Sequence, residues 1–228
     1  MEVHPLSDAL GAEIVGLDLR TLDDAGFTDV HDAFLDRQML CLRDQHLDPD
    51  TLIAFSERFG PVVPHDNRQF TLKSHPKILV LSNDVDVAGN QIGVIDAGDA
   101  WHSDHQFKPT PAKCTILYSL KNPSRGGATD FANQYAAYDA LPEETKRRIA
   151  GLRGIHSISK LRNRRVAMSG ARRGAIDFYR RQEIENPEVE HPLVRIHPET
   201  RRKALFCSPR FTVGVAGMPA DEADALLD

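Results

Sequence analysis

The feature that most constrains this chain is the segment Trp101-His102-Ser103-Asp104-His105. One residue separates His102 from Asp104, so on a β-strand both side chains would project from the same face. An imidazole beside a carboxylate provides two of the three ligands of a two-His-one-carboxylate site, which holds Fe(II) and leaves positions open for substrate and oxygen. The spacing therefore predicts a strand that carries part of an iron site.

The His-x-Asp spacing alone is a weak signal in a chain that contains 10 histidines. His46-Leu47-Asp48 has the same spacing, but Asp48 precedes Pro49 and a helical pattern. Asp48 is therefore predicted to be the N-cap of a helix rather than a metal ligand. The iron prediction consequently depends on the sequence that surrounds His102 and Asp104.

That surrounding sequence contains further motifs along nearly the whole chain. They are Gly11-Ala12-Glu13-Ile14-x-Gly16-Leu17-Asp18-Leu19, Phe55-Ser56-x-Arg58-Phe59-Gly60-Pro61, the residues Phe107, Pro109 and Pro111, Gly126-Gly127-x-Thr129, Tyr135 to Pro142, and His191-Pro192-Leu193-Val194-Arg195-x-His197-Pro198. In this order the motifs resemble the taurine/phenoxyacetate (TauD/TfdA) dioxygenase family. Members of that family use Fe(II), 2-oxoglutarate and O2.

The resemblance implies roles for three residues of the central motifs. His102 and Asp104 are expected to ligate iron, and the alternative is a buried, hydrogen-bonded His–Asp pair. Thr129 is expected to bind the 2-oxoglutarate carboxylate through its hydroxyl, although threonine is also a common strand residue. The expected reaction hydroxylates a small organic substrate and releases succinate and CO2.

Three further residues are candidates for substrate binding. His65 matches the family's substrate-contacting histidine, and Arg68 lies where relatives place another substrate contact. An arginine donates charge-assisted hydrogen bonds to a carboxylate, sulfonate or sulfate, so the substrate is expected to be anionic. His105 is a weaker pocket candidate, and the alternative for His65 is an ordinary exposed loop histidine.

Short apolar segments separated by Gly/Pro turns predict a mainly β chain with peripheral helices, arranged as a jelly roll (double-stranded β-helix). The resemblance implies the same fold. Strands are predicted at 12–19, 39–42, 77–82, around 101–105, 114–120, 128–133, 154–159, 194–196 and 203–207, and helices at 22–38, 50–59, 135–141, 142–152 and from 220 onwards.

The 228 residues are predicted to form a single domain with a basic insert at about 160–181. This insert contains eight lysines and arginines but only one acidic residue. The composition suggests either a solvated surface insert or a lid that attracts anionic substrates. The helix predicted from 220 has no C-terminal cap. The C-terminal core strands, the distal histidine ligand and the 2-oxoglutarate arginine of the family are expected to be missing from this chain.

Composition excludes several classes of protein. With a net charge of −5, nucleic acid is not the expected partner of the surface, and no apolar run reaches membrane-spanning length. Cys41, Cys114 and Cys207 form no CxxC pair, which favours free thiols and a cytoplasmic protein. The oligomeric state is left open by the sequence, and a homo-oligomer is compatible with it.

Two other functions compete with the dioxygenase. One is a truncated, non-catalytic jelly-roll protein with an incomplete metal site, in which 2-oxoglutarate turnover would stay at background. The other is a zinc hydrolase, which the sequence disfavours because it has no HExxH motif and no Cys/His cluster.

Overall fold

The computed structural model describes residues 1–65, 68–94, 98, 100–160 and 180–228. Contacts between Cα atoms divide the chain into two compact units. Unit 1 comprises Met1–Asp99 and Ile116–Asn133, and unit 2 comprises Ala100–Thr115 and Gln134–Asp228. His102 and Asp104 both belong to unit 2.

Unit 1 contains a three-stranded sheet packed against two helices. Its strands are β1 (Glu2–Pro5), β2 (Ala12–Val15) and β3 (Leu40–Leu42), and its helices are α1 (Asp24–Arg37) and α2 (Pro49–Glu57). Strand β2 pairs antiparallel with β1 and parallel with β3. The core forms where the sheet meets the helices and contains the buried residues Ile14, Leu19, Val30 and Phe55.

Both helices of unit 1 are capped at their start by an aspartate, which the sequence predicted for Asp48 only. The Asp23 carboxylate accepts a hydrogen bond from the Gly26 N–H at 2.8 Å, and Asp48 accepts one from the Thr51 N–H at 2.7 Å. These bonds satisfy N–H groups that lack a partner within the first helical turn. The assignment of Asp48 to a helix cap is therefore confirmed.

The strand predicted at 77–82 is shifted towards the N-terminus. Strand β5 (His75–Leu79) pairs antiparallel with the short β4 (Thr71–Leu72). Pro76 and Lys77 are exposed, so β5 is not buried on both faces as the apolar run suggested. Among the described residues after β5 there are two isolated bridges, Leu81 with Val94 and Val85 with Gln91.

The strands predicted around 101–105, at 114–120 and at 128–133 are not observed. Residues 100–133 are described throughout and contain turns and irregular backbone. Exposure alternates along 114–119, where Cys114, Ile116 and Tyr118 are half-buried, which is the pattern of an extended segment. Because a strand is stabilised by hydrogen bonds to a neighbour, extended sequence without such a ladder among the described residues does not become a sheet strand.

Unit 2 is built on an antiparallel sheet and a hairpin. The sheet has the order β10-β6-β7, formed by Thr212–Val215, Arg153–His156 and Val189–Pro192. The hairpin pairs β8 (Val194–Ile196) with β9 (Lys203–Leu205). The helices are α3 (Gln134–Asp139), α4 (Glu143–Ile149) and α5 (Ala220–Leu227).

Two small apolar clusters stabilise unit 2. One joins Phe107, Ile158 and Phe211, and the other joins Leu193, Val215 and Ala223. The first cluster places Phe107, which closely follows the His-x-Asp motif in the sequence, against residues that lie far along the chain. The irregular segment that carries the His-x-Asp motif is thereby attached to the core of the unit.

Within the residues that the structure describes, many short strands and few helices agree with the mainly β class that was predicted. All three cysteines are free thiols. In the part of the chain that the structure describes, no helix is both long and apolar enough to span a bilayer. The predicted basic insert lies outside the described residues, except at its two ends.

Candidate metal centre

His102 and Asp104 come together on irregular backbone rather than on a strand. Residues 101–103 have irregular backbone, and the turn that begins at Asp104 has His105 in the left-handed region, with φ of 54°. A non-glycine residue in that region is uncommon and is held there by its surroundings. Just before this turn, the Nε2 atom of His102 lies 3.2 Å from Oδ1 of Asp104. The two side chains thus converge as predicted, although the predicted strand is absent.

The other ring nitrogen of His102 determines which tautomer is present. Nδ1 lies 2.7 Å from the carbonyl oxygen of Ala100. A carbonyl can only accept a hydrogen bond, so Nδ1 carries a proton, and Nε2 is the nitrogen that can offer a lone pair to a metal ion. Metal-binding histidines are commonly fixed in this way, with the second nitrogen donating to a backbone carbonyl.

The facing atoms of the pair require a cation between or beside them. The Asp104 carboxylate is an acceptor, so the approach of Nε2 to 3.2 Å is favourable when Nε2 carries a proton that it donates to Oδ1, or when a metal ion binds both atoms. The His102 side chain is 19% exposed and that of Asp104 is 46% exposed, which leaves the pair open on one side. Imidazole and carboxylate are suitable ligands for Fe(II), so the donor set fits the metal that the sequence implied.

Asp104 is ionised at neutral pH. Hydrogen bonding to His102 lowers the pKa of this carboxyl to about 2, and a second hydrogen bond, from Thr115, acts in the same direction against the opposing effect of burial. The Thr115 hydroxyl donates to Oδ2 at 2.5 Å. The carboxylate is thus available as an anionic ligand through Oδ1.

Aromatic and polar contacts hold the metal-binding segment in place. The Phe211 ring packs edge-on against His102, with centroids 5.7 Å apart, and also packs against Phe107 at 5.0 Å. Gln106 is buried and accepts a hydrogen bond from the Ser208 hydroxyl at 2.6 Å. These contacts fix the two ends of the turn.

Sequence reasoning did not identify Thr115, Phe211, Gln106 or Ser208 as part of this site. Thr115 lies eleven positions after Asp104, and Ser208 lies 102 positions after Gln106. No local spacing rule links residues so far apart, and only the fold brings them together. Their hydroxyl, amide and aromatic side chains are common in any sequence and gave no signal.

A third protein ligand is not present among the described residues, where no three His, Cys, Asp or Glu side chains are placed to share a metal ion. His156 and His191 pack against each other with ring centroids 5.4 Å apart. His197 accepts hydrogen bonds at Nδ1 from the N–H groups of Glu199 and Thr200 in the β8–β9 turn. These three histidines therefore take part in packing and in turn hydrogen bonds.

The remaining candidates are distributed between the two units. Thr129 is exposed on irregular backbone after Gly126 and Gly127, which have φ of 71° and 72°. His65 is half-buried and Arg68 is exposed at the start of a 3-10 turn, and both belong to unit 1 together with Thr129. His105 belongs to unit 2, where its ring packs against Phe107 at 6.2 Å. The substrate and cofactor roles of these four residues stay predictions.

Comparison with known proteins gives the family. Residues 2–228 match the family described as taurine catabolism dioxygenase TauD, TfdA family. The chain belongs to this family. The match covers the motifs on which the sequence prediction was based, and it confirms both the predicted family and the predicted enzyme class, a 2-oxoglutarate-dependent dioxygenase.

Several TauD/TfdA relatives are similar along nearly the whole chain. The (S)-phenoxypropionate/alpha-ketoglutarate-dioxygenase of Sphingobium herbicidovorans is 33% identical over 226 residues, which are 99% of this chain and 76% of the relative. The alpha-ketoglutarate-dependent 2,4-dichlorophenoxyacetate dioxygenase of Cupriavidus pinatubonensis is 30% identical, and the match covers 98% of this chain and 78% of the relative. This chain therefore spans about three quarters of the length of these relatives.

Solved structures of dioxygenases are also similar to this chain. A putative alpha-ketoglutarate-dependent taurine dioxygenase from Burkholderia xenovorans superposes with a TM-score of 0.77 at 29% identity, over 99% of this chain and 70% of that structure. A 2,4-D dioxygenase from the same organism, also described as putative, gives a TM-score of 0.70 at 26% identity. The fold of the described residues is thus that of the TauD/TfdA dioxygenases.

Proposed function

We propose that this protein is an Fe(II)- and 2-oxoglutarate-dependent dioxygenase that hydroxylates a small anionic organic substrate and releases succinate and CO2. The observation that carries the proposal is the convergence of His102 Nε2 and Asp104 Oδ1 at 3.2 Å, with Nδ1 of the same histidine bonded to a carbonyl. Relatives that are named as dioxygenases of phenoxypropionate and 2,4-dichlorophenoxyacetate support an acidic substrate.

His102 and Asp104 would hold the metal through these two atoms. When bound, Fe(II) and 2-oxoglutarate supply the oxidising chemistry that transfers one oxygen atom of O2 to a substrate C–H bond. The protein contributes a fixed imidazole tautomer and one negative charge, and it leaves coordination positions open on the exposed side of the pair. The edge-on Phe211 ring limits rotation of the imidazole.

Thr129 is proposed to donate its hydroxyl to a 2-oxoglutarate carboxylate, and the exposed position of this residue allows such a contact. His65, Arg68 and His105 are proposed to contact the substrate. Arg68 is exposed and positively charged, so it can pair with a carboxylate or sulfonate. The proposal includes a jelly-roll fold, a single domain with the basic insert at about 160–181, and a cytoplasmic location, which the three free thiols favour.

The experiment measures succinate released from 2-oxoglutarate by the protein supplied with Fe(II), ascorbate and O2, for a panel of acids. The panel contains a phenoxypropionate, 2,4-dichlorophenoxyacetate, taurine and an alkyl sulfate. We expect release that depends on one of these acids, and a raised KM for that acid in Arg68→Ala and His65→Ala. Background succinate with every acid would instead support the alternative, a non-catalytic jelly-roll protein with an incomplete metal site.

A further inference from the structure

The two oxygens of the Asp104 carboxylate have different partners. Oδ1 faces Nε2 of His102 at 3.2 Å, and Oδ2 accepts a hydrogen bond from the Thr115 hydroxyl at 2.5 Å. All three residues belong to unit 2, so this geometry lies within one compact body. The carboxylate therefore presents one oxygen towards the metal position and has the other bound by the protein.

We propose that Thr115 is a positioning residue for the metal centre, which holds Oδ2 of Asp104 so that the carboxylate binds the metal through Oδ1 alone. The inference rests on the proposed function, because it presumes that His102 and Asp104 hold the metal.

An aspartate without such a partner would be poorly oriented. The terminal torsion of aspartate is broad, and the Asp104 side chain is 46% exposed, so packing alone does not fix the plane of the carboxylate. A hydroxyl that donates to an ionised carboxylate forms a short, charge-assisted bond. The Thr115 bond consequently fixes the carboxylate plane and prevents Oδ2 from taking a second coordination position, which O2 and 2-oxoglutarate would need.

The backbone around Thr115 places its hydroxyl for this task. Cys114 and Ile116 are half-buried and Thr115 is exposed, so its side chain points away from their face of the extended segment. Two residues earlier, Lys113 forms an ion pair with Glu199 at 3.0 Å, which attaches the segment to the β8–β9 turn. Because threonine is β-branched, its χ1 angle has few accessible values, and the hydroxyl keeps its direction.

The test compares three variants by titration with Mn(II), a spectroscopic substitute for Fe(II), in which free Mn(II) is measured by electron paramagnetic resonance. Thr115→Val removes the hydroxyl at nearly constant shape, and Thr115→Ser retains it. Thr110→Val is the matched control, since Thr110 is exposed on the same stretch of chain. Partners that orient a metal ligand typically contribute about 10–100-fold to metal affinity. We expect Thr115→Val to weaken Mn(II) binding by about tenfold, Thr115→Ser by less than about threefold, and Thr110→Val not at all.

Metal-free thermal unfolding of each variant separates positioning from folding. The inference is overturned if Thr115→Val binds Mn(II) as tightly as the wild type, if Thr115→Ser loses as much affinity as Thr115→Val, or if the loss is accompanied by unfolding of the metal-free protein. The His102→Ala variant separates failure of the Thr115 role from failure of the proposed metal pair. If His102→Ala abolishes Mn(II) binding and Thr115→Val does not weaken it, only the role of Thr115 is wrong. If the wild type fails to bind Mn(II), or His102→Ala binds as well as the wild type, the proposed metal pair is wrong as well.

Discussion

Two histidines of unit 2, His102 and His156, lie in contrasting environments. His102 is partly exposed, its Nε2 faces the Asp104 carboxylate, and one side of the pair is open. His156 is fully buried on β6, where its neighbours are a second imidazole, from His191, and the Phe206 ring. A carboxylate beside an open imidazole attracts a cation, whereas a buried site whose neighbours carry no negative charge disfavours one.

The surroundings of His156 explain why that ring stays neutral. Its Nδ1 lies 3.3 Å from the Thr212 hydroxyl, and its Nε2 is buried without a hydrogen-bond partner. Burial is the main cause that lowers the pKa of His156 to about 4, and positive charge on His191 and Arg195 acts in the same direction. The comparison shows that the neighbouring groups, and not the presence of a histidine, decide whether a site can hold a metal ion.

The largest expected effect comes from removing the charge of the metal-binding pair. Asp104→Asn keeps the shape of the side chain but replaces a carboxylate by a neutral amide. We expect Mn(II) affinity to fall by about 100-fold or more. Mutating a residue that only orients a metal ligand typically lowers metal affinity by about 10–100-fold, and Asp104 is proposed to be a ligand itself. Isothermal titration calorimetry would measure it, with His156→Gln as the control because His156 lies in the other site. Equal affinity in Asp104→Asn and the wild type would contradict the contrast between the two sites.

The next effect concerns acid stability and His156. The folded pKa of about 4 lies below the ordinary value of 6.5, so the unfolded chain binds a proton that the folded chain does not between these values. The free energy of unfolding should therefore fall as the pH falls from 6.5 towards 4, by up to about 3 kcal/mol in total from this group. Urea unfolding at pH 7, 6 and 5 would measure the slope.

His156→Gln should flatten that slope, even if the variant is less stable at pH 7. His46→Gln is the control, because His46 is exposed and its replacement should leave the slope unchanged. If the slope is the same in wild type and His156→Gln, burial of the ring does not make this region acid-sensitive.

The contrast also shows how far the sequence could predict the site. The motif order around His102 and Asp104 predicted the family correctly, and the spacing of two predicted correctly that their side chains lie close together. That these residues bind a metal ion stays a prediction. The left-handed conformation of His105 and the irregular backbone before it were not predictable, because no local sequence signal specifies them.

The helices were easier to predict than the central strands. The start of α2 follows from local chemistry, in which a carboxylate caps the N–H groups of the next residues. A strand at 114–120 or 128–133 depends on a hydrogen-bonded neighbour elsewhere in the chain, and periodicity carries no information about that neighbour. Thr115 was missed for the same reason, because its importance comes from a contact with Asp104 that the sequence does not specify.

The smallest effect is expected at the second His-x-Asp motif, where the sequence spacing is the same and the environment differs. Asp48 is bonded to the Thr51 N–H at the start of α2. Asp48→Ala removes this cap and should lower the Tm by about 2–4 °C, the range expected for loss of a helix cap in a chain of this size. Asp48→Asn should leave the Tm within about 1 °C, since asparagine caps helices as well as aspartate does. Neither variant should change Mn(II) affinity, and scanning calorimetry with parallel metal titrations measures both quantities. A loss of affinity in Asp48→Ala comparable to that in Asp104→Asn would mean that the spacing rather than the surroundings selects the metal site, which is the opposite of what the two histidine sites of unit 2 indicate.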